Sequence, residues 1–233
     1  MPIYNYLLIA IGAYLLGSIP TGYLVARSKG IDIRQTGSGN IGATNVFRIL
    51  GTGPGILVLL VDALKGYVAC AFLCPLIYNG LTPHHSDMFI PFQQEPIHIQ
   101  MKYKVVAGIC AILGHVFSCW LKFKGGKGVA TSGGVFFALT WQATSIALVV
   151  WIILVAITRY VSVGSIAAAA VLPIATWFIP PIGQDFDHRR SWLLESITIA
   201  AGLMVIIKHR SNLQRLRTGT EKKISFSSKG ATQ

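Results

Sequence analysis

Residues 128–158 read GVATSGGVFFALTWQATSIALVVWIILVAIT, and this apolar stretch decides the fold. As one helix it would extend about 46 Å, whereas the hydrocarbon core of a bilayer is about 30 Å thick. Its one strongly polar cluster lies at Thr140–Ser145. We therefore predict a hairpin of two short helices that turns near Thr140–Thr144.

The rest of the chain has the composition of a membrane protein. Hydrophobic residues make up 53% of the 233 residues and charged residues only 12%, about half of the share in soluble domains. The first apolar stretch lacks a basic n-region, so we predict a retained helix rather than a signal peptide. Further spans are predicted at 3–26, 55–78, 105–121, 162–180 and 192–207. With the hairpin they make an all-α integral membrane protein with seven transmembrane helices.

We predict a single membrane-embedded domain over residues 1–224, followed by a disordered tail at 225–233. The distribution of charge orients the helices. If the N-terminus lies outside, the inner segments hold 15 of the 20 Lys and Arg residues, as the positive-inside rule requires. The same rule explains the net charge of +12, so we predict no nucleic-acid partner. These inner segments are 27–54, 122–127, the corner at Arg159 and the tail from 208.

Neither the cysteines nor the histidines form a metal-binding pattern. Cys70, Cys74, Cys110 and Cys119 lie in or beside apolar segments, so we predict packing roles, no disulfide and no zinc. The outer loop 79–104 holds three loosely spaced histidines, which favours a solvated loop over a metal site. We expect no metal and no cofactor. The three histidines are His84, His85 and His98.

Three islands rich in glycine and basic residues interrupt the apolar chain. The first island is Gly37–Arg48, the middle island is Lys122–Thr131 and the third island is Lys208–Glu221. Such groups are costly near a bilayer, so we predict that the islands hold the function. Their chemistry suits anions, phosphate above all.

The middle island places KGGKG directly before a helix predicted to begin near Val129. Glycines let several backbone N–H groups point at one spot, and a helix N-terminus adds donors and partial positive charge. It is not a Walker loop, because Gly128 follows Lys127. The alternative is a cytoplasmic turn with snorkelling lysines. The residues predicted to bind phosphate are Lys124, Gly125, Gly126, Lys127 and Gly128, together with Arg48.

The first island presents hydroxyl, amide and guanidinium groups between its glycines. Ser38, Asn40, Thr44 and Asn45 can donate to a polyol or a phosphate. Arg48 can grip a phosphate through two N–H groups. The alternative is a surface loop in which Ser38 or Asn40 caps a helix.

Two polar features lie inside predicted spans. GSIPTG at Gly17–Gly22 interrupts the first span, and it is either a broken helix that lines a cavity or a simple proline kink. Asp62 and Lys65 lie three residues apart on the second span and can pair. Ionisable residues inside a membrane are functional candidates, and a structural ion pair is the alternative.

The third island places His209 and Asn212 one helical turn apart, with Glu221 after them. Histidine can act as a base or a donor, and its alternative role is that of an interface residue. Ser162 follows the Arg159 corner, where N-capping of the next helix is the simple interpretation. The sequence offers no Ser-His-Asp spacing, carboxylate pair or nucleophile elbow. Such a set suits two anions that are held close together and react by proximity.

These residues carry a family resemblance. Six blocks occur in order, namely GSIPTG, GSGNIGATNVFR, DALKG, GHVFSCWLKFKGGKGVAT, RYVSVGS and HRSNLQRL with GTE. With them nearly the whole chain resembles the bacterial acyl-phosphate:glycerol-3-phosphate acyltransferase (PlsY) family. The resemblance implies a multi-pass protein of the bacterial inner membrane, with seven spans, a periplasmic N-terminus, a cytoplasmic C-terminus and an active site that faces the cytoplasm. The outer loops 79–104 and 181–191 look longer than in the compact family form.

The resemblance also implies a reaction. An enzyme of this kind transfers a fatty acyl group from acyl phosphate to the sn-1 hydroxyl of glycerol 3-phosphate, giving lysophosphatidic acid and phosphate. This is the first acylation of phospholipid biosynthesis. The implied partners are acyl phosphate, glycerol 3-phosphate and membrane lipid. The catalytic residues predicted are Ser38, Arg48, Lys127, Ser162, His209 and Asn212, and the supporting residues are Asn40, Asn45, Asp62, Lys65 and Glu221.

Two other classes of function remain open at this point. A transporter for an anionic metabolite would also use broken helices and helix N-termini. Against it, the predicted topology puts all three islands on one face, whereas alternating access needs a central site. A non-catalytic membrane scaffold would leave the glycine-rich islands unexplained.

Overall fold

The computed structural model describes residues 3–81, 91–179 and 192–224. Within these ranges every regular element is a helix. The predictions made for His84 and His85, for the loop 181–191 and for the tail 225–233 fall outside the described residues.

Eleven α-helices and three short helical turns follow one another along the described chain. The π-helical turn Ala69–Leu73 joins two of the α-helices without a break, and 3₁₀ turns lie at Phe92–Gln94 and Cys119–Leu121. The α-helices are α1 (Ile3–Ser18), α2 (Thr21–Arg27), α3 (Ala43–Leu50), α4 (Thr52–Val68), α5 (Cys74–Leu81), α6 (Ile97–Val116), α7 (Val129–Leu139), α8 (Trp141–Thr158), α9 (Val161–Phe178), α10 (Trp192–Lys208) and α11 (Arg210–Arg217).

Prolines account for two irregularities in the long apolar helices. The first span breaks between α1 and α2 at Ile19 and Pro20, inside the GSIPTG motif, and no residue of that motif belongs to the wall that the described residues form around the main cavity. The π-helical turn between α4 and α5 ends at Leu73, two residues before Pro75. Proline lacks an N–H and its ring crowds the preceding turn, so the helix must widen or break there.

The prediction for the outer loop 79–104 was wrong at both ends. Helix α5 continues to Leu81, and α6 begins at Ile97 instead of residue 105. Lys102 and Lys104 therefore lie on the first two turns of a helix. The misplacement arose because basic and polar residues at a membrane interface look like loop in a hydropathy pattern, although their stems can pack along a helix.

The stretch 128–158 divides at Thr140, within the predicted turn region. Ala138 at the end of α7 and Gln142 at the start of α8 line a small cavity with Ile97 and Gln100, which open α6. The far end of α8 lies beside the C-terminal segment, because the N–H of Ile224 donates to the carbonyl of Arg159 over 2.8 Å. The chain thus crosses from one end of the helix bundle to the other twice within this stretch.

The described residues contain five helical segments that are long and apolar enough to span a membrane, or six if the bent pair α10–α11 counts as one span. Helix α7, with 11 residues, is about 16 Å long and is shorter than the hydrocarbon core. The multi-pass, all-helical architecture is confirmed. The count of seven spans and the orientation of the termini stay predictions.

Helix α7 is held close to α4 by two glycines. A Cβ atom on Gly66 would lie 2.2 Å from the carbonyl oxygen of Thr131, and one on Gly134 would lie 1.8 Å from that of Ala63. Small residues allow such backbone contact, which stabilises helix pairs where lipid supplies no hydrophobic drive. This packing brings the middle island to the polar residues of α4.

Candidate active site

One cavity of about 870 Å³ contains residues from all three islands. Its polar end is formed by seven residues, of which Arg48, Lys127, Ser162, Asn212 and Glu221 are linked by direct side-chain contacts. Its remaining wall is mainly apolar, with some polar residues, and is supplied largely by α4, α7, α8, α9 and α10. The residues of the polar end are Ser38, Arg48, Lys127, Ser162, His209, Asn212 and Glu221.

Glu221 is the centre of the polar end. Its Oε1 accepts a hydrogen bond of 2.8 Å from Asn212 Nδ2 and one of 3.3 Å from Ser162 Oγ, and its Oε2 accepts one of 2.6 Å from Arg215 Nε. Arg48 Nη2 lies 3.8 Å from the same carboxylate. Burial alone raises the pKa of Glu221, but the hydrogen bonds from Asn212 and Arg215 outweigh it and lower the pKa. The carboxylate is therefore charged and joins the first and third islands to Ser162.

Arg48 reaches the polar end from the short helix α3. Its Nη2 donates to the carbonyl oxygen of Lys222 over 2.6 Å, and its buried Nε has no hydrogen-bond partner among the described residues. Burial lowers the pKa of Arg48, while Glu221 raises it. A guanidinium stays protonated even so, because its ordinary pKa is far above neutrality. The unpaired Nε–H is a candidate donor to an anionic ligand.

Lys127 is the cation of the middle island, and its Nζ donates to Asn212 Oδ1. Burial, assisted by the positive charge of Arg215, lowers the pKa of Lys127 to about 8. The ammonium group therefore keeps most of its charge at neutral pH and loses it a little above. An anion bound beside it would stabilise the charged form.

The glycine loop differs from the cradle that the sequence predicts. The N–H of Gly125 donates to the carbonyl of Val116 over 3.1 Å, and that of Gly126 donates to the carbonyl of His115 over 3.0 Å. These two amides are thus engaged in fixing the loop on the end of α6. The donors left for an anion are those of the first turn of α7, which begins at Val129 and has no acceptor within its own helix.

The loop of the first island is organised by the buried side chain of Asn45. Its Nδ2 donates to the carbonyl oxygens of Thr36 and Asn40, at 3.0 and 2.9 Å, and its Oδ1 accepts from the N–H of Ser38 at 2.9 Å. Asn40 in turn accepts from the N–H of Gly42, which is the N-cap of α3. The loop presents Ser38 to the cavity, and the capping role considered for Ser38 does not occur.

Asp62 and Lys65 form a buried network beneath the middle island. Lys65 Nζ lies 2.8 Å from Asp62 Oδ1 and donates to the carbonyl of Ile19 over 2.9 Å, in the gap between α1 and α2. Thr21 Oγ1 donates to the same carboxylate over 3.0 Å. His115 Nδ1 lies 3.7 Å away. The broken first helix is therefore fastened by the ion pair of α4.

The structure corrects the interpretation of Ser162 and defines the state of His209. Ser162 lies inside the first turn of α9, whose N-cap is Tyr160, and its hydroxyl turns to Glu221 instead of the helix end. His209 Nδ1 lies 2.7 Å from the carbonyl of Val205. A carbonyl can only accept, so Nδ1 carries a proton, and in the neutral form of the ring Nε2 is the acceptor.

Most of the predicted site residues thus meet in one place. Besides the polar end, the cavity wall includes Asn40, Asn45, Asp62 and Gly128. Lys65, Lys124, Gly125 and Gly126 lie outside the wall formed by the described residues, and Lys124 is exposed. Thr21 and His115 were not among the site residues predicted from the sequence. A Cβ on Gly126 would lie 2.2 Å from His115 Nε2, so this ring packs directly against the loop.

The chain is similar to one family of known proteins over most of its length. A family model described as glycerol-3-phosphate acyltransferase matches residues 7–219. A protein of that name from Trichlorobacter lovleyi is 47% identical over 212 residues, which cover 91% of this chain and 94% of the relative. One from Geobacter sulfurreducens is 43% identical over 217 residues, covering 93% of this chain and 96% of the relative.

Two solved structures share the fold. Both are crystal structures of PlsY, an integral membrane glycerol 3-phosphate acyltransferase, and both are 33% identical to this chain. The glycerol 3-phosphate form has a TM-score of 0.75 and covers 94% of this chain and 96% of the other. The lysophosphatidic acid form has a TM-score of 0.73, with coverage of 95% and 96%.

Proposed function

The chain belongs to the glycerol-3-phosphate acyltransferase (PlsY) family, and from this premise we propose that it uses acyl phosphate as its acyl donor. It transfers the fatty acyl group to the sn-1 hydroxyl of glycerol 3-phosphate and releases lysophosphatidic acid and phosphate. This is the first acylation of phospholipid biosynthesis.

The observation that carries the proposal is a single cavity with two kinds of wall. Arg48, Lys127 and the first turn of α7 supply cationic and N–H donors at one end. The wall beyond them is apolar and includes exposed side chains such as Leu60 and Ile152, so it is open to lipid. An anionic head on a fatty chain fits such a cavity, and a second phosphate fits beside it.

The positions of the hydrogen-bond donors indicate which group binds which substrate. Lys127 and the N–H groups of Val129 and Ala130 hold the phosphate of the acyl donor at the N-terminus of α7. Arg48 and Ser38, on the opposite side of the polar end, hold glycerol 3-phosphate. Ser162, Asn212 and Glu221 keep these cations in position.

No protein nucleophile is required, because acyl phosphate is already activated. The protein supplies proximity between the glycerol hydroxyl and the acyl carbon, together with positive charge at the phosphate that leaves. The proton of the hydroxyl passes either to His209 Nε2 or to a phosphate oxygen of the donor. An unchanged rate and pH profile in His209→Ala would eliminate the histidine as the base.

We also propose the membrane arrangement that places this site. Residues 1–224 form one domain of the bacterial inner membrane with seven spans, a periplasmic N-terminus and a cytoplasmic C-terminus, so the polar end faces the cytoplasm. The positive-inside distribution of Lys and Arg supports this orientation. Cysteine labelling of the C-terminus from the periplasmic side only would contradict it.

A transport assay and a turnover assay separate the proposal from its main rival. Purified protein in lipid should release phosphate only when acyl phosphate and glycerol 3-phosphate are both present, and lysophosphatidic acid should appear in equal amount. An Arg48→Ala variant is the matched control, with a raised KM for glycerol 3-phosphate. Glycerol 3-phosphate flux across liposomes without turnover would support a transporter.

A further inference from the structure

Ser132 of α7 belongs to the cavity wall and carries a buried hydroxyl without a hydrogen-bond partner among the described residues. The residue is 7% exposed. Leaving a buried hydroxyl without a partner costs free energy. A ligand in the cavity can remove that cost by accepting the hydrogen bond.

Some other buried helical hydroxyls of this chain are satisfied within their own helix, whereas those of Ser18 and Thr131, like that of Ser132, have no partner among the described residues. Thr144, Ser165 and Thr176 each donate to the carbonyl oxygen four residues earlier, at 2.8 Å. This is the usual local solution for Ser and Thr inside a helix. Ser132 has such a carbonyl at Gly128, which its own backbone N–H already uses at 2.8 Å, yet its hydroxyl makes no bond there. The hydroxyl therefore keeps an unused capacity to donate a hydrogen bond.

The position of Ser132 along α7 identifies which part of a ligand it meets. The helix begins after Lys127 and rises about 1.5 Å per residue, so Ser132 lies about 6 Å beyond Gly128 and about 6 Å before Phe136. Phe136 and Phe137 belong to the apolar wall. Helical side chains lean towards the N-terminus, so the hydroxyl lies between the phosphate-binding turn and the apolar wall.

We propose that Ser132 donates a hydrogen bond to the acyl carbonyl oxygen of the donor, an inference that rests on the proposed function. In an acyl phosphate the carbonyl lies between the anionic phosphate and the fatty chain. In the same order, Ser132 lies between the phosphate-binding turn and the apolar wall at Phe136. A hydroxyl at this point is a substrate-binding donor that strengthens its bond as charge develops on the oxygen.

The step balances without a further reactant. The glycerol hydroxyl oxygen forms a bond to the acyl carbon, and the carbonyl π pair moves to the oxygen that Ser132 holds. That pair then reforms the carbonyl, and the bond between the acyl carbon and the phosphate oxygen breaks with its electrons on phosphate. The hydroxyl proton leaves through the acceptor described above, and inorganic phosphate departs.

Kinetics of Ser132→Ala with palmitoyl phosphate test the assignment. Initial rates are measured with each substrate varied at saturating concentration of the other. We expect kcat to fall about 10²-fold, while both KM values change by less than about threefold, because the bond matters most in the transition state. Ser132→Cys, a weaker donor of similar size, should give an intermediate kcat.

Thr131→Val is the matched control. Thr131 is also buried, its hydroxyl also has no partner among the described residues, and it lies one position away, but outside the cavity wall. Its kcat should equal that of the wild type. An equal loss in Thr131→Val would show a structural effect on α7 and would overturn the assignment.

The remaining outcomes are decisive as well. A rise in the KM for palmitoyl phosphate with unchanged kcat would place Ser132 on the phosphate or the chain and overturn the inference, as would wild-type kinetics. If Ser132→Ala is too unstable to assay, Ser132→Cys is the test variant. A wild-type kcat in Ser132→Cys would overturn the inference. Failure of the wild type to use palmitoyl phosphate would instead refute the proposed function.

Discussion

Arg48 Nη2 donates a 2.6 Å hydrogen bond to the carbonyl oxygen of Lys222, 174 positions later in the chain. The neighbouring Glu221 carboxylate lies 3.8 Å from the same nitrogen. The first island is thus held by the segment that follows α11. This segment comes after all the apolar helices in the described chain. The polar end cannot be complete until this segment packs.

Removing the charge of Glu221 should disorganise the polar end. In Glu221→Gln, Arg215 and Arg48 would face an amide that cannot neutralise them, so we expect a loss of about 1–3 kcal/mol in unfolding free energy. The KM for glycerol 3-phosphate should rise at least about tenfold, because the Arg48 side chain would no longer be held in place by the carboxylate. The control is Asp32→Asn, which breaks the exposed Asp32–Arg34 pair and should leave both quantities unchanged. Normal kinetics in Glu221→Gln would contradict the role of this carboxylate.

Activity should decline with alkaline pH because of Lys127. The pKa of Lys127 is lowered to about 8, so the free enzyme loses this positive charge as the pH rises through about 8. The kcat/KM for acyl phosphate should fall over that interval, since it reports ionisations of the free enzyme and substrate. In Lys127→Arg the cation remains charged, and this alkaline limb should be absent whatever the absolute rate. Persistence of the limb in the variant would assign it to another group.

Gly125 is required for the close contact between the middle island and α6. A Cβ atom there would lie 2.0 Å from the carbonyl oxygen of His115 and 2.9 Å from that of Val116, and backbone atoms cannot step aside cheaply. In Gly125→Ala the loop should shift and carry Lys127 with it, raising the KM for acyl phosphate about 10²-fold. Gly53→Ala is the matched control, because a Cβ at Gly53 meets nothing within 4 Å and this residue lies in the first turn of α4. Equal kinetics in both variants would refute the packing argument.

The pair of Asp62 and Lys65 should behave as one structural unit. Lys65→Met leaves a buried carboxylate without its nearest cation, so we expect a loss of about 3–5 kcal/mol in detergent unfolding experiments. The double variant Asp62→Asn/Lys65→Met should lose less than the sum of the single variants, with a coupling of about 1–3 kcal/mol. Additive losses would mean that the two residues stabilise the protein independently.

The sequence by itself determined the helical, multi-pass architecture and pointed to most of the residues that line the polar end of the cavity. Long apolar runs, the proline in GSIPTG and the break at Thr140 are local properties, because hydrocarbon thickness and the covalent geometry of proline act on each segment separately. The islands could be recognised from the sequence for a similar local reason. Charged residues inside an apolar chain are costly in a membrane whatever the tertiary structure.

Only the tertiary structure decided how those residues are used. The hydroxyl of Ser162 donates to Glu221 instead of capping a helix. The amides of Gly125 and Gly126 donate to carbonyl groups of α6 instead of a ligand, and Asp62 accepts from Thr21. Each outcome depends on donors and acceptors that belong to different segments of the chain and meet when those segments pack together. Local pattern says which groups need a partner, and packing selects the one that lies within about 3 Å.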